Sequence, residues 1–188
     1  MAARKTNGIY QLKITLLGLR PPLWRRVLVK SNTSLDVLHE VIQGAMGWWD
    51  CHLHAFSIGG IEYGRIDPDF GLEDTKDETR MTLNRVVTGE KSKFRYTYDF
   101  GDGWEHEILL EKILPVDPAQ TYPVCIKGKR ACPPEDCGGV WGYQELIEIM
   151  ADPQHPEYEE RLEWLEEPLE PEQFDLDEVN AALRRLSR

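Results

Sequence analysis

The chain has 188 residues, which is enough for one domain with a single hydrophobic core and an appended segment. Its formal net charge is −11 at pH 7, which disfavours bulk binding to nucleic acid, because such affinity comes from lysine and arginine displacing counterions from phosphates. No apolar run approaches the roughly 20 residues that cross a bilayer, and the polar N-terminal residues contain no signal-peptide core. We therefore expect a cytoplasmic protein without membrane contact.

Two strands and one helix are predicted at the start of the chain. Residues 9–17 alternate apolar and polar side chains, which is typical of a half-buried strand, and residues 24–29 form a second extended run. Between Leu35 and Met46 apolar residues recur at helical spacing, and Gly47 ends the pattern. This segment is the strongest helix prediction in the sequence.

The next segments predict short strands and a long irregular connection. Residues 54–58 and 61–63 flank a Gly-Gly turn and are predicted to be a strand pair. Residues 65–79 are acidic and irregular, which indicates a loop, whereas residues 81–87 fit either a short helix or a strand.

A β-hairpin is predicted around Asp102. Apolar and polar residues alternate before and after the sequence Gly-Asp-Gly, and Asp-Gly supplies the positive φ angles that a tight turn needs. On this register His106 lies on the mostly apolar face, between Trp104 and Ile108, where a histidine needs a hydrogen-bonding partner.

The fold class follows from the order of these elements. Residues 9–114 are predicted to form the sheet core, residues 115–140 a loop rich in Pro, Gly and Cys, and residues 141–188 a helical extension that ends with a helix capped at Asp175. Strands, one helix, more strands and then helices predict a single α+β domain over residues 1–188, with a largely antiparallel sheet packed on the main helix. The order of the elements resembles a β-grasp fold.

Three cysteines in the predicted loop form a candidate zinc site. Cys125, Cys132 and Cys137 could supply thiolates to a zinc ion, which would hold together a proline-rich loop that does not pack by itself. Their spacing differs from that of standard zinc knuckles. The alternatives are free thiols, or a disulfide between Cys125 and Cys132.

Histidines and aspartates form a second set of candidate ligands. His52 and His54 are two residues apart, so both would lie on one face if they shared a strand, and a nearby His106 would complete a metal site with an open position. The alternative places His54 in a strand and His52 in the loop before it. Asp99 and Asp102 are candidate catalytic carboxylates, although Asp102 fits the role of a turn former and Asp99 that of a turn cap.

Standard catalytic and nucleotide-binding motifs are missing from the sequence. We find no Walker loop, dinucleotide-binding glycine fingerprint, nucleophile elbow or zinc-protease helix motif. A small basic cluster of Arg20, Arg25 and Arg26 could contact phosphate, but such a cluster is more often a solvated face.

Several longer motifs resemble the plasmid open-reading-frame-3-like family, the type found on Ri plasmids. They are Pro21-Pro22-Leu23-Trp24-Arg25-Arg26, His52-Leu53-His54-x-Phe56, Tyr98-Asp99-Phe100-Gly101-Asp102-x-Trp104-x-His106 and Ala131-Cys132-Pro133-Pro134-Glu135-Asp136-Cys137-Gly138-Gly139. The similarity runs from about residue 9 to about residue 186. This family occurs on plasmids and as a passenger of insertion elements, where it is sometimes labelled resolvase-like, and the resemblance implies no defined reaction.

The sequence therefore favours an accessory or interaction module of mobile-element origin without enzymatic activity, whose hairpin and cysteine loop form one surface for a protein partner. The first alternative is a metal-dependent enzyme of the hydrolase type, with zinc as its ion and with His, Asp and Cys ligands. The second alternative is a DNA-binding accessory protein that uses the basic cluster.

Overall fold

The computed structural model of the protein describes residues 8–66, 74–165 and 168–186. In these ranges the strands are β1 (Ile9–Leu16), β2 (Leu23–Lys30), β3 (His54–Ile58), β4 (Ile61–Gly64), β5 (Lys76–Asp77), β6 (Lys93–Tyr98), β7 (Trp104–Leu114) and β8 (Val124–Lys129). The α-helices are α1 (Leu35–Met46), α2 (Leu83–Val86), α3 (Gly139–Ala151), α4 (Tyr158–Leu165) and α5 (Leu176–Arg184). Among the described helices none has the length and apolar character to cross a membrane.

The strands form one mixed sheet in the order β5-β4-β3-β6-β7-β1-β2-β8. Every neighbouring pair is antiparallel except β4 with β5. The predicted α+β class is confirmed. The β-grasp-like order is not confirmed, and β1 pairs in antiparallel orientation with both of its neighbours, β2 and β7.

The hydrophobic core lies between one face of the sheet and α1. Along β1, buried Leu12, Ile14 and Leu16 alternate with half-exposed residues, as the two-residue period of a strand requires. The helix ends at Gly47, whose φ of 90° lies in the left-handed region that glycine adopts without steric cost, and the Gly47 N–H donates to the carbonyl of Gln43. The direction of the chain leaving α1 is thereby fixed.

The C-terminal helix α5 closes the core next to the edge strand β8. Asp175 caps α5 by accepting two backbone N–H groups of its first turn. Leu183 of α5 is fully buried, and the side chain of Asn180 bonds to both backbone groups of Cys125 in β8. An edge strand normally leaves such groups unpaired, so α5 protects this edge of the sheet.

The structure corrects two loop predictions. Residues 124–129, predicted to lie in an irregular loop, form β8, which pairs with β2. Only Cys125 of this strand is buried, so its sequence lacks the alternation that identifies half-buried strands. In the predicted loop 65–79 the structure places β5 and the start of a 3₁₀ turn, Glu78–Arg80, while residues 67–73 lie outside the described ranges. The ambiguous segment 81–87 contains the helix α2.

The alternation of side chains along β2 places Arg25 and Arg26 of the predicted basic cluster on opposite faces of the sheet. Arg25 points into the core, where it is 3% exposed and donates to the carbonyls of Ala45 at 2.9 Å and Lys129 at 3.0 Å. Arg26 points to the opposite face and forms a bidentate ion pair with Glu111 at 2.6 and 2.8 Å. Two of the three arginines assigned to phosphate contact are therefore engaged within the fold.

Candidate metal centre

Three connecting segments meet at the turn of the β6–β7 hairpin. They are residues 47–53 between α1 and β3, residues 99–103 of the turn itself, and residues 130–138 before α3. Backbone hydrogen bonds join the first two segments, from the Asp99 N–H to the Leu53 carbonyl at 2.9 Å. The Gly138 N–H donates to the Asp102 carboxylate at 3.1 Å and so joins the second segment to the third.

The segment that carries His52 is held by its own backbone amides. The N–H of Trp49 donates to the Glu135 carboxylate at 2.8 Å, that of Asp50 to a Gln43 side chain at 3.0 Å, and that of Cys51 to a tyrosine hydroxyl at 3.1 Å. Three successive amides are thus bonded to side chains from other segments. This arrangement fixes the backbone on which His52 stands, which is a requirement for a preorganised site.

The turn fixes Asp99 in the same way. Asp99 has a φ of 52°, in the left-handed region that aspartate tolerates better than most residues, and one of its carboxylate oxygens accepts the Gly101 N–H at 2.9 Å. The turn spans residues 99–103, with Tyr98 and Trp104 as the last pair of the hairpin. The predicted role of Asp99 as a turn cap agrees with this geometry, and its second oxygen remains free to bind a ligand.

Three side chains from these segments gather around one point. The His52 Nε2 atom lies 3.0 Å from an Asp136 oxygen and 3.7 Å from the free Asp99 oxygen. The ligand atoms of His52, Asp99 and Asp136 all lie within 4.8 Å of one another. Atoms that bind one ion at about 2.1 Å stand roughly 3.0 to 3.4 Å apart, so small side-chain movements would complete a metal coordination sphere.

The surroundings of the His52 ring nitrogen suit a metal ligand. Its Nε2 atom is shielded from solvent, makes no hydrogen bond to any described residue and lies 3.0 Å from an Asp136 oxygen. A buried ring nitrogen without a hydrogen-bond partner costs free energy, and an ion bound to this nitrogen would remove the cost.

Glu135 stands beside this group with one oxygen fixed and one unused. Its first oxygen accepts the Trp49 N–H at 2.8 Å and the Tyr98 hydroxyl at 3.2 Å. Its second oxygen is buried, makes no hydrogen bond to the described residues and lies 4.0 Å from His52 Nε2. Cys51, His52 and Glu135 form an alternative ligand group. Burial raises the pKa of the Tyr98 phenol, so Tyr98 remains a hydrogen-bond donor at neutral pH.

His54 belongs to a different cluster from His52. Because β3 begins at His54, His52 lies in the loop before it, and His54 stacks on His39 of α1 with ring centroids 3.5 Å apart. His39 bonds to Asp50 at 2.7 Å, and His54 bonds to Glu78 at 2.8 Å. The ligand atoms of His39, Asp50 and His54 lie close together, but the lone pairs of two parallel rings do not converge on one ion.

His106 lies in the core, apart from both clusters. It is 0% exposed, its Nδ1 atom is 2.9 Å from the Trp104 carbonyl, and its ring contacts those of Trp48 and Tyr96 with centroids 5.4 Å away. Burial lowers the pKa of His106 to about 4, so the ring is neutral at pH 7. Within the described part of the chain His106 joins no group of candidate ligands.

The three loop cysteines are not brought together with the histidines. Cys125 is buried in β8, whereas Cys132 and Cys137 flank the segment of Glu135. Burial raises the pKa of all three thiols, that of Cys137 to about 12. Among the described residues, no group of three closely spaced ligand atoms includes any of these cysteines.

We expect one fast-reacting thiol in the native protein. Cys51 is exposed, while the raised pKa values of the other three thiols leave almost no reactive thiolate at pH 8. Titration with an aromatic disulfide reagent should modify one thiol per chain before denaturation and four afterwards. The variant Cys51→Ser should show none before denaturation, and two or more fast thiols in the native protein would contradict this assignment.

Sequence reasoning identified His52 and Asp99 as candidates but missed their closest partners. Glu135 and Asp136 follow two prolines in a segment whose most distinctive residues are cysteines, and the two carboxylates have no spacing pattern that marks a site. His39 lies in the apolar stripe of α1, where a sequence pattern identifies only core residues. Its contact with His54 was therefore not predicted.

The fold and the polar centre together define the class of the protein. It is an α+β protein with one mixed sheet packed against a helix. Three connecting segments bring a histidine and carboxylates together at the turn of a hairpin. The family profile described as "Plasmid pRiA4b ORF-3-like protein" matches residues 8–178, and the chain belongs to this family.

Two relatives were found by sequence and structure comparison. The chain is 44% identical over 159 residues to "Uncharacterized protein y4hQ" of Sinorhizobium fredii, with 84% of this chain and 80% of that protein covered. It is 40% identical to the protein of unknown function MM3350 from Methanosarcina mazei Go1, whose crystal structure it matches with a TM-score of 0.84 over 92% of this chain and 98% of that one. These relatives are described as uncharacterised or of unknown function.

Proposed function

We propose that the protein is a metal-dependent hydrolase whose divalent ion binds to His52, Asp99 and Asp136. The observation that carries this proposal is the buried, unbonded Nε2 of His52 surrounded by carboxylate oxygens. One imidazole with carboxylates suits zinc, manganese or iron, and the ligand set leaves coordination positions for water and substrate.

Each side chain then has a role that its environment supports. An ion held by His52, Asp99 and Asp136 would supply Lewis-acid chemistry and would lower the pKa of a water at the site towards neutrality. Glu135 is positioned to accept the proton of that water, because Trp49 and Tyr98 hold one of its oxygens and leave the other unbonded beside His52. Glu135 and Asp136 also line an open cleft of about 520 Å³, which gives a substrate access.

Metal binding tests the centre directly. Calorimetric titration of metal-free protein with Zn²⁺ and Mn²⁺ should give one site, and His52→Ala and Asp99→Asn should each weaken it at least about 100-fold. Asparagine keeps the turn at position 99, since it also tolerates a positive φ. Cys125→Ser is the matched control, because it removes a ligand of the predicted cysteine site and lies in β8, outside the three segments that carry the His52 centre.

The hydrolytic step needs a separate measurement. The metal-loaded protein is assayed against nitrophenyl esters, phosphomonoesters and phosphodiesters and against casein, and Glu135→Gln should lower turnover at least about 100-fold. Equal metal affinity in the native protein and in His52→Ala would refute the centre. A bound ion without turnover of any of these substrates would refute the hydrolase and leave a structural or binding role.

A second candidate function is the interaction module of mobile-element origin that the sequence favours. Its support is the exposure of large apolar side chains on the same segments, because apolar surface of this kind marks binding sites. Trp49, Leu53 and Phe100 are each exposed next to or near a residue of the metal centre. Replacing Trp49 with alanine should abolish capture of one specific partner protein, and unchanged capture would contradict this role for the surface.

A further inference from the structure

A cleft of about 520 Å³ lies next to the metal centre, between the end of α1 and the end of α4. Its lining includes Trp48, Trp49, Pro133, Glu135, Asp136 and Trp164. Trp48 is buried, and its indole N–H donates to the Pro133 carbonyl at 3.0 Å, which ties the α1 side of the cleft to the proline segment. The cleft is therefore bounded by fixed backbone on two sides.

Two of its tryptophans are turned towards solvent. Trp49 is 84% exposed and Trp164 is 45% exposed. Exposing an indole ring to water forfeits the free energy that its burial would contribute, and tryptophan is enriched where proteins bind one another. The two rings are therefore available for a ligand that enters the cleft.

The charge of the cleft favours a positively charged ligand. Glu135 and Asp136 contribute carboxylates, and among the described lining residues there is no lysine or arginine. Aromatic faces beside carboxylates stabilise an organic cation through the ring quadrupole and through direct charge attraction.

We propose that this cleft binds a lysine or arginine side chain from a basic segment of a partner protein. The inference specifies the partner of the interaction module and does not depend on the metal-dependent activity. A protein segment is favoured over a free amine because Leu53 and Phe100, on the two segments that meet the proline segment, are also exposed apolar side chains. The chain's net charge of −11 also attracts a basic partner over a distance.

Capped nonapeptides that differ only at the central residue provide the test. The central residue is lysine, arginine or norleucine, the last of which keeps the alkyl chain and lacks the charge. Binding is followed by the NMR signals of the tryptophan indole N–H groups in the presence of EDTA, so that no metal contributes. Lysine and arginine peptides should shift the signals of Trp49 and Trp164, and the norleucine peptide should bind at least about fivefold more weakly.

Variants of three exposed tryptophans locate the site. Trp49→Ala and Trp164→Ala should each weaken binding of the lysine peptide at least about fivefold. Trp141→Ala is the matched control, because Trp141 is 83% exposed and lines a separate cleft with Gly18 and Gly103. Because peptide binding is measured in EDTA, its outcome does not depend on whether the metal centre binds an ion, which separates this inference from the metal centre.

Three results would overturn the inference. Equal affinity for the norleucine and lysine peptides would show that the cleft binds apolar side chains without selecting for charge. That result would contradict this inference but not the proposed interaction module. Tighter binding of free spermidine than of the lysine peptide would identify a small-molecule polyamine site instead of a partner segment. Failure of both the lysine and arginine peptides to shift the signals of Trp49 and Trp164 would exclude the cleft as a site for either side chain.

Discussion

Replacing Gly142 with alanine should lower the free energy of unfolding by about 3 kcal/mol and should also weaken binding of an ion at the proposed centre. A Cβ atom at this position in α3 would overlap the carbonyl oxygen of Cys137 and lie 2.9 Å from its carbon. Both are backbone atoms, so no side-chain rotation relieves the clash and the chain itself has to move. The segment that moves carries Glu135 and Asp136, which links this substitution to the proposed metal centre.

A glycine inside the helix α1 is the matched control for this prediction. Gly44 lies in α1, where a Cβ atom would come 3.3 Å from a terminal methyl group of Leu183, the flexible end of a side chain. Alanine has the higher helix propensity by up to about 1 kcal/mol, so Gly44→Ala should leave stability within about 1 kcal/mol of the native protein. Urea unfolding followed by circular dichroism compares the two variants. Equal stability of Gly142→Ala and the native protein would refute the close contact.

The sequence predicted the regular elements well where one periodicity dominates. The helix from Leu35 to Met46 has the predicted bounds, because an apolar stripe and a terminal glycine mark both its face and its end. The strand β8 was missed, because its partner residues come from β2 and its outer edge is satisfied by Asn180. A segment that is stabilised by distant contacts carries little local signal.

The candidate site was predicted only in part, for a related reason. His52 and Asp99 lie in segments with distinctive residue types, so sequence alone singles them out. Their approach to Asp136 depends on how three connecting segments pack, and on hydrogen bonds such as the one from Trp49 to Glu135. Side chains on different loops have no fixed spacing in the sequence, and the tertiary fold alone brings them together.

As the pH is lowered from about 6.5 to about 4, the lowered pKa of His106 should by itself reduce the free energy of unfolding by about 3 kcal/mol. The pKa of His106 falls from an ordinary value of about 6.5 to about 4, because its fully buried ring is costly to charge. Between these two pH values the unfolded chain binds a proton at this position and the folded chain does not. Acid therefore favours the unfolded state, and the neutral His106 ring makes its full contribution to stability only above about pH 6.5.

Urea unfolding of the native protein and of His106→Gln at pH values from 4 to 7.5 measures this contribution. Glutamine does not titrate and can still donate a hydrogen bond to the Trp104 carbonyl, so the variant should lose the His106 part of the pH dependence. The difference between the two profiles isolates His106, since the buried His39, whose pKa is also lowered by burial, contributes equally to both. Parallel profiles between pH 4 and 6.5 would show that the folded protein accommodates a charged His106, as it would if the ring had a nearby carboxylate or solvent access.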